Sequence, residues 1–225
     1  MDAIKMFDKL HWWCDRAWLY AVYLEGVVML CTLPIALASW SAPKVIGCLL
    51  VVFLAAHIFE ENTWPAGFFY QNNLGVGSRE PMVYPQNMLT NMITNLGLLT
   101  LLVMFVFTGI VPDTMLVMLA VIFGIGECIG HTRGGILMYR RFRAAGKRTL
   151  YAPGLANTYL CLLPLAVYSW WWLAVNTAPV GEIVAGLVLF VCLAAGFIGI
   201  PLGISARVKS TRFAFTRKGY YEKFD

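Results

Sequence analysis

The string His57-Ile58-Phe59-Glu60-Glu61 places one imidazole and two carboxylates within five positions, at the end of an apolar run that begins near Val45. At about 100° per residue, Glu60 and Glu61 fall on either side of His57, so all three project toward one face of a helix. Glu127 and His131, in Gly126-Glu127-Cys128-Ile129-Gly130-His131, are four apart and share a face of a second helix. Imidazole and carboxylate are suitable ligands for zinc, iron or manganese. Two histidines with several glutamates are also the donor inventory of di-iron carboxylate bundles, although the paired E-x-x-H spacing of those bundles is missing.

Several chemistries follow from such a set. A hydrolytic zinc centre would use His57, His131 and Glu61 as ligands, with Glu60 or Glu127 as a further ligand or as the base for water. A di-iron oxidoreductase would need both histidines and up to four glutamates, with oxygen-dependent chemistry. Without a metal, buried Glu and His can shuttle protons or stabilise a carbocation, as an isomerase or cyclase requires. Metal-assisted hydrolysis is preferred because it needs only a three-ligand site and a base. The cofactor expected is a divalent transition metal, zinc or iron, with its identity and number open. A proton-coupled transporter is the alternative outside enzymes, but the chain lacks the repeat pair that many transporters carry. A purely structural cluster is the plainest reading.

These groups stand out because the rest of the chain is so apolar. Its 225 residues are 60% hydrophobic and only 13% charged, with mean hydropathy +0.70. A soluble domain averages about 25% charged residues. The expected fold class is therefore all-α, a polytopic membrane protein with a bundle of six transmembrane helices in one domain. The spans are expected near 17–40, 44–62, 90–111, 114–138, 153–175 and 181–205, with Pro34 and Pro164 inside two of them. Residues 1–16 mix Trp12 and Trp13 with Lys5 and Asp8 and read as an interfacial amphipathic helix. Residues 206–225 read as a basic cytoplasmic tail. The cysteines are scattered through apolar segments and read as free thiols.

Lys and Arg cluster in the loop after the fourth span, in the tail and near the N-terminus. That bias places both termini in the cytoplasm, with the chain integral to the cytoplasmic membrane. It also accounts for most of the net charge of +5, so a nucleic-acid partner is not expected. The expected partners are membrane lipids and a hydrophobic or amphipathic small molecule, with the oligomeric state open. On that topology Glu25, His57, Glu60, Glu61, Glu127 and His131 come from three helices yet share one layer of the cytoplasmic half. Asn91, Asn95, Asn157, Tyr151 and Arg133 lie near the same level and are candidate additional ligands or supports. For the asparagines, hydrogen-bonded glue between helices is the competing reading. Glu25 could instead pair with Arg133, and Arg133 could anchor topology or bind an anionic head group. Gly134 and Gly135 look like an interruption of the fourth span's end. The connection 63–89, with Trp64, Phe68, Phe69 and Tyr70, is a candidate lid.

His57-Ile58-Phe59-Glu60-Glu61, a later histidine at His131, and Tyr151-Ala152-Pro153-Gly154 occur in that order. Together they resemble the HXXEE-motif family of bacterial integral membrane proteins, over roughly residues 45–205. The resemblance implies a membrane enzyme, without fixing its reaction. Glu25 and Glu127 lie outside that signature, and their candidacy rests on depth and facing alone.

Overall fold

The computed structural model describes residues 9–224, and among these the ordered elements are all helical. Six helices are long and apolar enough to cross a membrane: α1 (Lys9–Ser39), α2 (Ala42–Asn62), α4 (Met88–Thr108), α5 (Asp113–Phe142), α6 (Leu155–Val175) and α7 (Val180–Val208). A short helix, α3 (Phe68–Gly75), lies in the connection between α2 and α4. Residues 9–16, expected as part of an interfacial helix, continue without a break into α1, and residues 1–8 fall outside the described residues.

Local chemistry sets the ends of these helices. Asn87 caps α4: its side chain accepts from the Thr90 N–H, and Thr90 Oγ1 accepts from the Asn87 N–H. Gly109, at φ 63°, ends the same helix. Asp113 opens α5, and Arg140 and Arg141 occupy its last turn, each charge complementing the helix dipole. Pro201 lies inside α7 and cannot donate to the Phe197 carbonyl four residues back. The Thr94 hydroxyl of α4 donates to that carbonyl instead, at 2.7 Å.

The expected break at Gly134-Gly135 does not occur, and α5 runs on to Phe142. The two glycines serve packing. A β-carbon at Gly134 would run into the Gln71 side chain of α3, and one at Gly135 into the Leu150 carbonyl. Their small size lets α3 and the 143–154 connection lie directly against α5.

The main core includes Val22, Met29, Leu50, Leu99, Leu119 and Leu162, with Leu193 from the last span, so all six spans contribute. α2 and α5 are the most enclosed helices and α7 the least. Gly124 of α5 faces the Leu162 carbonyl, where a β-carbon would stand 2.5 Å away, so α5 and α6 approach backbone to backbone. Short turns join the helices at one end of the bundle, where the Ser41 hydroxyl donates to Asp113 at 2.8 Å. The long connections and the C-terminal segment gather at the other end. There Phe69, Tyr70, Met138, Phe142 and Tyr221 form a second apolar cluster. The tail beyond Val208 is therefore a packed part of the fold.

Candidate metal centre

α2 and α5 each present two ionisable side chains to their common interface, spaced i, i+4. His57 Nε2 lies 3.3 Å from Glu61 Oε1 and 3.7 Å from Glu127 Oε2. His131 Nε2 lies 3.2 Å from each of the same two oxygens. The two imidazole rings meet edge to face, with centroids 4.7 Å apart. His57, Glu61 and His131 are buried, and Glu127 keeps about a third of its side chain exposed.

The orientation of these atoms matters more than their proximity. Among the described residues neither Nε2 makes a well-aligned hydrogen bond, although carboxylate oxygens lie within 3.2–3.7 Å. Thr158 explains this for His57. Its hydroxyl donates to the Gly154 carbonyl at 2.8 Å, leaving its oxygen to accept from His57 Nδ1–H at 3.5 Å. A proton held on Nδ1 leaves the Nε2 lone pair directed at the carboxylates. Nitrogen lone pairs and carboxylate oxygens converging on one buried point repel each other unless a proton or a metal cation sits among them. A tetrahedral ion with ligands at about 2.0–2.1 Å has ligand–ligand edges of about 3.3–3.4 Å. The observed separations bracket that value, so the donor set fits a metal ion. His57, Glu61 and His131 form a buried group able to hold one.

His131 is held by packing. Phe68 of α3 stacks on its ring at 4.7 Å and 29°. Gly154 lies against the same ring at φ 91°, and a β-carbon there would penetrate the imidazole. Glycine at this position thus answers both the left-handed backbone and the ring.

Glu60 points elsewhere. It accepts from the Tyr151 hydroxyl at 2.9 Å, from the Ala156 N–H at 3.1 Å and from the Asn157 N–H at 2.8 Å. Both oxygens are committed to the first turn of α6, where an anion satisfies free amide protons. The general-base role considered for Glu60 gives way to that of a clamp fixing α6, and with it Thr158, to α2. Burial and the neighbouring Glu60 charge push the Tyr151 hydroxyl above its usual range, keeping it protonated as a donor. Glu60→Ala should lower stability by about 1–3 kcal/mol, read by thermal unfolding, while Glu60→Gln retains part of that loss. Both variants should still bind metal, more weakly.

Glu25 also lies outside the centre. It accepts from the Thr100 hydroxyl at 2.7 Å, which ties α1 to α4, and it does not pair with Arg133. Arg133 is exposed on the outer side of α5. Asn157 contributes its N–H to Glu60, while its side-chain oxygen is buried without a partner. Asn91 and Asn95 belong to an amide network. Asn91 donates to Asn62 at 2.6 Å, and its oxygen accepts from Gln86 at 2.8 Å and from Asn95 at 2.9 Å. The network welds α4 to the end of α2, the glue role expected of such residues in a membrane.

Sequence reasoning missed the lysine and aromatics that close this end. Buried Lys147 donates to the Tyr151 carbonyl and to the Tyr220 hydroxyl, and it lies over the Tyr220 and Phe224 rings. The tail is tied down further where the Tyr220 N–H donates to Ala66 at 3.1 Å and the Phe215 N–H to Met82 at 2.9 Å. Tyr221 donates to Gln71 at 2.6 Å. The legible signal was the run of Phe213, Phe215, Tyr220, Tyr221 and Phe224 among the tail's cations.

Burial, and then the Lys223 charge, lower Lys147 to about 8. A free lysine holds its proton until about pH 10.4. Between those values the undocked chain binds a proton that the docked chain does not, so docking strengthens as pH rises through this window and is flat below it. Hydrogen exchange at residues 219–224, corrected for intrinsic rates, should therefore show more protection at about pH 9.5 than at about pH 7.5. Lys147→Met should abolish the difference.

Residues 48–169 match a family model described as a protein of unknown function with HXXEE motif. No curated protein and no solved structure matches the chain. The matched stretch takes in His57, Glu60, Glu61, Glu127, His131 and the Tyr151–Gly154 turn, and it spans more than half of the 225 residues. On that match, with His57, Glu60 and Glu61 as its signature string, the chain belongs to the HXXEE-motif family.

Proposed function

We propose that the protein is a membrane-embedded, metal-dependent hydrolase acting on a lipid-like substrate, with a single zinc ion held by His57, His131, Glu61 and, in the resting state, Glu127. The observation carrying this reading is the convergence of unpartnered Nε2 atoms and carboxylate oxygens at tetrahedral spacing. One ion is favoured over two because Glu25 and Glu60 are engaged elsewhere, leaving four donors. When bound, zinc would supply Lewis acidity that activates water and polarises the scissile group.

The chain's own residues have separable roles. His57 keeps its proton on Nδ1, held by Thr158, and offers Nε2. Glu61, the more buried carboxylate, anchors. Glu127 reaches the surface of the centre, so it is the carboxylate placed to accept the proton of an attacking water. A cleft of about 770 Å³ extends from Glu61 and Asn62 along Trp18, Tyr23 and Phe69 to Arg217 and Lys223 of the tail. Aromatic walls with charges at the mouth suit an amphipathic molecule. The clustering of Lys and Arg at this end of the bundle supports its facing the cytoplasm.

The test is turnover of ester and phosphoester lipids by purified protein in vesicles, with and without chelation. Glu127→Gln is expected to keep the metal and lower turnover by about 100-fold or more. Metal-independent turnover, or accumulation of unaltered solute inside proteoliposomes, would overturn the reading in favour of acid–base catalysis or transport.

A further inference from the structure

A second feature lies on the opposite side of α5 from the metal centre. A groove of about 570 Å³ runs along its outer face, walled by Ile129, Ile136 and Leu137 and closed at one end by Gly75 of α3. Arg133 and Arg140 both line it. They are seven residues apart, two helical turns, so their guanidinium groups share one face about 10 Å apart along the axis. Among the described residues no acid lines the groove and neither arginine has an ion-pair partner. The nearest acid along the helix, Glu127, is turned inward to the histidines.

Depth argues for the kind of occupant. Arg133 lies twenty residues into α5 from Asp113, about 30 Å, which is one hydrocarbon thickness. If Asp113 marks one face of the membrane, Arg133 sits at the boundary of acyl chains and head groups on the other, and Arg140 lies among the head groups. A guanidinium at that boundary reaches into the head-group layer, where a phosphate satisfies it through paired N–H donors. Ile129, one turn nearer the membrane centre, stands at acyl-chain depth, and Ile136 and Leu137 stand between the levels of the two arginines.

We propose that this groove binds an anionic phospholipid, its phosphate between Arg133 and Arg140, with Ile136 and Leu137 flanking the head group and an acyl chain running along Ile129. The site is independent of the metal centre and of any substrate bound there. The test is lipid retention by native mass spectrometry of the purified full chain. The protein is exchanged against equal phosphatidylglycerol and phosphatidylcholine of identical acyl chains. Wild-type protein is expected to retain phosphatidylglycerol at least about fivefold over phosphatidylcholine. Arg133→Gln with Arg140→Gln should abolish the preference. Arg141→Gln with Arg143→Gln removes the same charge from the same helix end outside the groove and should keep it. Soluble glycerol phosphate in excess should not displace the lipid. No preference in wild type, equal loss in both double variants, or displacement by glycerol phosphate would each overturn the proposal, the last in favour of a free-phosphate site.

Discussion

Protein purified with His131 replaced by glutamine is expected to lose bound transition metal, with affinity at least about 100-fold below wild type. Residues that merely orient a ligand are worth about 10–100-fold in metal affinity, and His131 is itself a donor, equidistant at 3.2 Å from Glu61 and Glu127. Glutamine keeps most of the side-chain volume between Phe68 and Gly154, so loss of metal can be read apart from loss of packing. His57→Gln should behave alike, because its Nε2 occupies the neighbouring corner of the same cluster. Arg133→Gln is the matched control: it removes a polar group at similar depth on the far side of α5 and should leave metal content unchanged. Elemental analysis of all three, normalised to protein, is the measurement. Full metal content in both histidine variants would mean that the metal binds elsewhere.

Gly154→Ala is expected to have the second-largest effect, although residue 154 donates nothing to the centre. Two costs combine. The backbone at φ 91° disfavours any L side chain, by about 1–3 kcal/mol. The new methyl would also occupy the space of the His131 ring. Phe68, stacked on the same ring, restricts its retreat. Either His131 leaves the cluster or the Tyr151–Gly154 turn moves, carrying Thr158 away from His57. Gly146→Ala separates the two costs. Gly146 has φ 93° but open space around its β-carbon position, so it reports backbone strain alone. Both variants should melt below wild type. Only Gly154→Ala should also weaken metal binding, by about 10–100-fold. Equal metal affinity in the two variants would contradict the role given to the turn.

Much of this arrangement was legible in the sequence, for reasons that are physical. The six spans were readable because lipid requires long uninterrupted apolar runs, and the observed helices match the expected ones within a few residues at most ends. His57 with Glu61, and Glu127 with His131, were readable because i, i+4 spacing puts side chains on one helix face regardless of tertiary context. The same reasoning erred at Glu60. Helical facing places it near His57, but facing cannot foresee that the chain would bring the start of α6 to it, more than 90 residues later. Glu25 shared a depth with the others, and depth alone cannot choose between a partner on α4 and one on α5. Gly134 and Gly135 read as breakers because glycine lowers helix propensity. Here the packing of α3 and Leu150 against them outweighs that preference. The tail's aromatics were masked by its charge, which carries the topology signal and hides the anchoring one.

These residues give the family signature a common purpose. The histidine and second glutamate of the string face the cluster, and the first glutamate holds the start of α6. The later turn supplies Tyr151 to that glutamate and Gly154 to His131, and it leads into Thr158, whose hydroxyl lies 3.5 Å from His57 Nδ1.

The most direct measurement is anomalous scattering from crystals of protein prepared with zinc, collected on both sides of the zinc edge. One peak is expected, enclosed by His57 Nε2, His131 Nε2 and the carboxylates of Glu61 and Glu127, at about 2.0–2.2 Å from its ligands. No peak at that point, with the histidines instead hydrogen-bonded directly to the carboxylates or through water, would contradict the proposed metal centre.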